Sequence, residues 1–510
     1  MEEKIDKSLK DAYVKNSFFN VFGWAWVSVL SVVTVPIVIH NIGTEQYGIL
    51  ALVFLFLGYF AFLDLGMGEA VVKFVSEYHA RKDREQINRI INAILLTYII
   101  IGLVGVILII LFTKFYAVKL FQISPDFARV TQISFYIVAI GFFLNLVMAV
   151  FSKIPEAMQR FDITSKITIV MGTSINIGNI IVVLLGGELI ALVIVNLCGT
   201  IFGVFLYYIY SKTLLKCLKI NFIFTWKDLK KTFSFGLYTT FTRLASVISG
   251  SLFQIIIGII LGPVSVAIYN IPSKLISRLQ MFAYKVSYVV FPVVSELKSL
   301  NDANRIYRVY EKVSKYVFYI LSVFFISILS FNYSILRYWI GKDFADDGYI
   351  VLILLTVAYY FHSISMVPSL VVFGMGKPKY NAIFSMMSAI LCIILLIPLS
   401  NIFEVKGSAI AFLVSSFLVP FFIIIVNKRI LKISSLKYFK NVFLKGGIIS
   451  ILLLSFYILV LNNLIRDLLS FIFVFLFSLL ISISIFYLNI DVQDRKAIIS
   501  KLNILKAHQY

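Results

Sequence analysis

Apolar runs of about twenty residues recur along nearly the whole chain, and a run of that length crosses the hydrocarbon core of a bilayer as one helix. About fourteen such runs are present, over residues 17–40, 47–63, 91–113, 128–151, 164–185, 189–211, 232–261, 264–284, 313–336, 348–371, 381–400, 407–427, 443–461 and 467–488. The run 264–284 contains Pro272, Lys274 and Arg278, with Lys285 directly after it. It is retained because proline and charge are tolerated where a helix faces protein or a cavity. Composition excludes the alternatives. A soluble surface needs about a quarter charged residues, whereas this chain of 510 residues is 60% hydrophobic and 14% charged, with a mean hydropathy of +0.97. Several water-soluble domains, a disordered chain, collagen and a secreted disulfide scaffold all fall. Of three cysteines, Cys198 and Cys392 lie in apolar runs and Cys217 in a basic loop, with neither a pairing pattern nor metal-ligand spacing. They read as two buried thiols and one cytoplasmic thiol.

A net charge of +21 raises the question of nucleic acid, and the positions of the 46 Lys and Arg answer it. They sit between the runs. With the N-terminus inside, about 38 fall in cytoplasmic connections, about 7 outside, and Arg243 within a span. The basic loops run 73–89, 212–231, 274–315 and 428–445, whereas the outside loops near Gly43, Gly187 and Gly262 carry no Lys or Arg. Both termini are therefore expected in the cytoplasm, and the charge records topology without a nucleic-acid partner. The first apolar stretch is too long for a cleaved signal and no small-residue cleavage site follows it.

No outside connection exceeds about 15 residues, which disfavours a membrane polymerase or glycosyltransferase with a large external catalytic loop. A phosphate loop is absent; the nearest string, Gly374-Met375-Gly376-Lys377-Pro378, has the wrong spacing and lacks the hydroxyl residue. No HExxH, CxxC or paired-carboxylate array supports a metal site. The expectation is a transporter, not an enzyme, with no cofactor.

The chain repeats itself. Ile42-Gly43-Thr44-Glu45-Gln46-Tyr47-Gly48-Ile49 resembles Leu261-Gly262-Pro263-Val264-Ser265-Val266-Ala267-Ile268-Tyr269 at an offset of about 219. Gly187-Glu188-Leu189-Ile190-Ala191 matches Gly407-Ser408-Ala409-Ile410-Ala411, and Gln159-Arg160-Phe161 matches Gly376-Lys377-Pro378, at about 220 and 217. Six spans is an even number, so the repeats run parallel about an axis near the membrane normal. The expected fold is all-α and polytopic: two six-helix bundles related by a pseudo-twofold around a central cavity, residues 1–225 and 226–440, with two extra helices in 441–510.

Tyr47-Gly48-Ile49-Leu50-Ala51-Leu52, then Leu63-Asp64-Leu65-Gly66-Met67-Gly68-Glu69-Ala70 with Lys73 following, and Phe291-Pro292-Val293-Val294-Ser295-Glu296-Leu297, resemble Wzx-type O-antigen and capsule repeat-unit flippases. These form the polysaccharide transporter branch of the multidrug/oligosaccharidyl-lipid/polysaccharide (MOP) superfamily, related more distantly to MATE drug exporters and lipid II flippases. The resemblance covers most of the chain. Relatives often carry Arg after the Asp-Leu-Gly motif; Lys73 keeps the charge without bidentate phosphate geometry. The resemblance implies translocation of undecaprenyl-pyrophosphate-linked oligosaccharide across a bacterial inner membrane, beside polysaccharide polymerase and chain-length proteins, driven by a proton or sodium gradient.

Polar residues inside the runs are the candidate site. Arg243 in mid-span is costly, by roughly 3 kcal/mol on insertion scales, unless it faces protein or water. Thr239, Arg243, Ser246, Gly250 and Gln254 form one polar stripe at helical spacing. Either Arg243 lines a cavity and pairs with phosphate, or it bridges to an acid on another helix. The matching position in the first half is Trp24, on a stripe with Asn20, Ser28 and Ser31, which suits a sugar-stacking face. Lys73, Lys274, Arg278 and Lys285 are candidates to attract pyrophosphate at the cytoplasmic mouth, although such residues more often snorkel to lipid headgroups. Lys153 and Arg160 read the same way. Asp64 and His362 are ion-coupling candidates; a helix-end carboxylate and a satisfied core histidine are the plain alternatives. Asn176 and Asn179 read as interhelical glue, and Tyr359 and Tyr360 as sugar platforms. The competing function is a MATE-like exporter of organic cations, against which Arg243 argues.

Overall fold

A segment surrounded by lipid must satisfy its own backbone hydrogen bonds, and the apolar runs do so as helices. The computed structural model describes the backbone of residues 2–60, 67–221, 224–230, 232–233 and 252–490, and the side chains of these except 2–22 and 59–60. Among the described residues every regular element is helical, and eleven helices are long and apolar enough to cross a membrane. In chain order the principal helices are α1 (Glu2–Phe60), α2 (Met67–Ala80), α3 (Arg84–Phe112), α4 (Pro125–Ala157), α5 (Phe161–Leu184), α6 (Leu189–Leu214), α7 (Phe253–Ser287), α8 (Val290–Ser299), α9 (Ala303–Ser330), α10 (Asn332–Trp339), α11 (Lys342–Ile364), α12 (Met366–Gly374), α13 (Lys379–Ser416), α14 (Leu418–Ile425), α15 (Ser435–Phe439), α16 (Lys445–Phe456) and α17 (Leu468–Leu488).

Three of these are bent by one residue. Gly43 in α1 (φ 80, ψ 167) and Gly262 in α7 (φ 76, ψ −178) share a conformation that side chains rarely reach, and Glu404 bends α13 (φ 53, ψ −137). Each kink falls where the sequence suggested a short outside loop, so two apolar runs follow one another with no separate connection.

The repeat is written into the backbone. Among the described residues, positive φ occurs at Gly43, Lys82, Gln122, Gln159 and Gly186, and again at Gly262, Asn301, Gly341, Gly376 and Glu404, with Lys432 beyond them. Taken in order, the five pairs are about 217 to 219 positions apart. Local chemistry repeats as well. Asp83 caps α3 by accepting from the Gln86 amide at 3.0 Å, and Asp302 caps α9 by accepting from the Arg305 amide at 2.9 Å. On α3, Asn92 donates to the Lys219 carbonyl (2.8 Å) and accepts from the Asn221 amide (3.0 Å), pinning the segment after α6. On α9, Glu311 accepts from Asn441 (3.1 Å) and Tyr310 stacks on Tyr438 at 4.5 Å, pinning the segment after α14.

Contacts divide the chain into one unit of Met1–Ile271 with Ser400–Val405 and another of Pro272–Leu399 with Lys406–Tyr510. In the first, α1 packs along α5, and α4 packs against α3 and α6. A Cβ at Gly172 would press on Val27 at 2.5 Å, a small-residue contact that brings α1 and α5 together. In the second, α9 packs against α11 and against the closing helices. Phe318, Tyr319, Val323 and Phe331 share a buried cluster with Leu453, Tyr457, Leu461, Val474 and Phe486. Cys198, expected to be buried, is exposed on α6; its apolar run told of membrane depth and not of which face meets protein.

Candidate functional site

In the first unit, Trp24 is half-buried on α1, and its backbone carbonyl accepts from the Ser28 hydroxyl at 2.7 Å. Ser31 donates to the Ser28 carbonyl at 3.0 Å, so both serines of the expected stripe serve their own helix. Asn20 lies on α1 with its side chain outside the described residues. Trp26, which the sequence did not single out, donates through Nε1 to Thr173 on α5 at 2.9 Å. Arg243, Thr239, Ser246, Gly250 and Asp64 lie outside the described residues.

Gln254 is described, and it has a partner on the far side of the Gly262 kink. Asn270 Nδ2 donates to Gln254 Oε1 at 2.6 Å, bracing the two arms of α7. Asn270 is 4% exposed, and among the described residues no donor reaches its buried Oδ1. A buried amide oxygen left open in this way is a polar anchor held inside an apolar helix.

A cavity of about 200 Å³ lies within the first unit, lined by Phe54, Leu57, Asn145, Ile175, Asn196 and Thr200 among others. Asn145 Nδ2 donates to the Gly141 carbonyl and Asn196 Nδ2 to the Leu192 carbonyl, both at 2.8 Å. Thr200 donates to the Asn196 carbonyl at 3.0 Å. Each amide nitrogen carries two hydrogens, so Asn145 keeps one donor beside its Oδ1 acceptor, and the Thr200 oxygen can still accept. Asn196 also reaches Asn179 Oδ1 at 3.4 Å, which links α6 to α5; Asn176 donates within its own helix to Gly172 at 2.7 Å.

The basic candidates sort by partner. Lys73 is exposed on α2, with Nζ 4.9 Å from the Phe74 ring centroid. Lys153 bonds Glu156 at 2.7 Å and lies 3.9 Å from Glu69. Arg160 makes two hydrogen bonds to Asp162, at 2.9 and 3.0 Å. In the second unit, Lys274 is exposed while Arg278 and Lys285 are half-buried, at spacings of four and seven that put them on one face of α7.

His362 is half-buried on α11, stacked on Phe412 with centroids 5.2 Å apart, and its buried Nε2 meets no partner among the described residues. Tyr359, one turn before, shares a hydrogen bond of 3.0 Å with Ser273. Tyr360 bonds Ser322 and lies among the Phe318 and Phe325 rings at 5.7 and 5.0 Å, which makes it a packing residue of this unit.

A family model described as "Polysaccharide biosynthesis protein" matches residues 13–298. The chain is 22% identical over 370 residues to the "Putative O-antigen transporter" of Shigella flexneri, covering 72% of this chain and 87% of that protein. Its fold is similar to that of the lipid II flippase MurJ in an inward closed conformation, with a TM-score of 0.73 and 17% identity, covering 93% of this chain and 99% of the other. It is also similar in fold to an inward-facing multidrug resistance MATE family transporter of the MOP superfamily, with a TM-score of 0.65 and 13% identity, covering 84% and 94%.

Proposed function

The chain belongs to the polysaccharide biosynthesis protein family, and from that premise we propose that it is a flippase for undecaprenyl-pyrophosphate-linked oligosaccharide repeat units. The family match is the observation that carries this reading. The fold alone does not choose, because a lipid II flippase and a multidrug exporter share it.

In this reading the protein is a multi-pass protein of a bacterial inner membrane with both termini in the cytoplasm. Each of the three kinked helices crosses the membrane twice, giving fourteen crossings of about twenty residues each. Residues 1–225 and 226–440 are six-helix bundles related by a pseudo-twofold around a central cavity, and 441–510 is an appendage. Arg243 pairs with the pyrophosphate, Trp24 stacks on sugar, and Asn20 and Gln254 hydrogen-bond the glycan. Lys73, Lys274, Arg278 and Lys285 draw the anion toward the cytoplasmic mouth. Rocking of the bundles exposes the site outward while the prenyl tail stays in lipid, with Asp64 and His362 coupling the motion to a proton or sodium gradient. No cofactor takes part, and polymerase and chain-length proteins receive the product.

The test is leaflet-resolved accumulation of radiolabelled lipid-linked oligosaccharide in cells lacking the protein. Accumulation in the inner leaflet, relieved by the wild type and not by Arg243→Ala at equal protein level, is expected. Unchanged lipid-linked sugar with altered tolerance to organic cations overturns the reading.

A further inference from the structure

The two glycine kinks are alike in conformation and unlike in how their carbonyls are served. At the second, position 263 is proline, which has no N–H, so the Ile259 carbonyl lacks the donor that an unbroken helix places four residues on. That donor comes from another element. Gln122, in the connection between α3 and α4, donates through Nε2 to the carbonyls of Ile259 at 2.9 Å and Ile260 at 3.1 Å. At the first kink the position equivalent to Pro263 is Thr44, which keeps its N–H. The repeat equivalent of Gln122 is Gly341, which has no side chain to donate.

The surrounding corner, all within the first unit, is closely packed. Gln122 is left-handed (φ 50), and its Cβ lies 4.0 Å from where a Cβ on Gly262 would stand. A Cβ on Gly48 would overlap the Pro263 carbonyl, and one on Gly258 would press on Leu52 at 2.5 Å. Ser124 donates to Glu45 at 2.7 Å, tying the same connection to the segment after the first kink. Two segments equivalent in the repeat, one from each half of the sequence, thus meet at one corner, and the Gln122 amide hydrogen-bonds the second of them to the α3–α4 connection.

We propose that Gln122 is the latch of an outer gate: its amide holds the Gly262 kink to the α3–α4 connection, which Ser124 ties to α1, and outward opening breaks both Gln122 hydrogen bonds. Gln122 is a positioning residue here, and it acts on the gate rather than on the glycan. The inference rests on the transport reading and on the orientation that puts this corner outside.

The experiment reads accessibility and not export, so it is separable from the flippase assay. Cys198, Cys217 and Cys392 are changed to Ser, Leu52→Cys is added, and intact cells receive a membrane-impermeant maleimide. Leu52 is 1% exposed and touches the corner, so slow labelling from outside is expected when Gln122 is present. Gln122→Ala and Gln122→Leu should raise the rate about tenfold, since the two hydrogen bonds favouring the closed state are lost. Gln122→Lys, which keeps a donor of similar reach, should retain the slow rate. Equal rates for all variants at equal protein level overturn the latch. So does labelling that needs entry of the reagent to the cytoplasm. A parallel Ile326→Cys control, buried in the second unit, must stay unlabelled; if it rises together with Leu52→Cys, the variant unfolds globally and the latch is overturned.

Discussion

Asn92 is fully buried near the start of α3 and uses both ends of its amide, one to the Lys219 carbonyl and one to the Asn221 amide. Asn92→Ala removes both of these part-buried hydrogen bonds, a loss of about 1–3 kcal/mol. A lower melting temperature of the detergent-solubilised protein is the expected readout, with Asn92→Asp intermediate because it keeps the acceptor. Asp467 acts differently, at the exposed start of α17. The Ser470 amide and hydroxyl hold its carboxyl below the ordinary value. The folded pKa is depressed, so the cap is fully present above the ordinary Asp value of about 3.9 and is lost as the pH falls through the lowered one. Asp467→Asn, which caps without titrating, should remove that acid sensitivity and leave neutral-pH stability nearly unchanged in melts from about pH 6 to pH 2. Single residues were unevenly legible in the sequence. Gln254 stood out as a polar residue on an apolar helix, but its partner Asn270 did not, because nothing in the pattern says that a kink will fold one arm beside the other. Asn92 and Gln122 look like ordinary polar residues near span ends; their partners lie 127 and 137 residues away. Arg243 and Asp64 lie outside the described residues, so their roles rest on the sequence.

Helices show a different limit. The apolar runs marked where chain crosses lipid, yet 17–40 and 47–63 follow one another along α1, because Gly43 turns the chain in a single residue without inserting a loop. Period and composition continue across such a turn, so hydropathy sees two spans and a short gap. The glycines themselves were legible, as matched motifs in the two halves; the conformation they adopt was not. At Gly262 that conformation is one an added side chain reaches only with strain of about 1–3 kcal/mol. Gly262→Ala should therefore lower the melting temperature and slow transport together. Gly447→Ala is the contrast: it is helical, with nothing within 4 Å of an added Cβ, so the change should be neutral or stabilising by up to about 1 kcal/mol. If both substitutions behave alike, the kink is not the reason Gly262 matters. Glu404 is the third bend: the gap between the runs 381–400 and 407–427 marked a turn there, but nothing in propensity marks a glutamate for a left-handed position.

At the scale of the molecule, repetition and charge are separate facts that must agree. The paired positive-φ residues define where each half turns, and six runs per half return the chain to the side on which it began. The Lys and Arg then decide which side that is. Lys298, Arg305, Arg308 and Lys312 cluster around the turn at Asn301, and Arg81, Lys82, Arg84 and Arg89 around its partner Lys82, whereas Gly186 and Gly262 have no Lys or Arg beside them. Translocating a short loop rich in Lys and Arg is unfavourable, so the turns at Lys82 and Asn301 are expected in the cytoplasm and those at Gly186 and Gly262 outside. Reporter fusions test this at positions that cost the fold little. Green fluorescent protein joined after residue 510 should fluoresce. Alkaline phosphatase inserted at Gly186, where an added Cβ meets nothing within 4 Å, should be active, and at Lys82 inactive. The opposite pattern at Gly186 and Lys82 would invert the molecule. It would place the Gln122 corner in the cytoplasm and remove the outer gate while leaving the fold and the repeat as they stand.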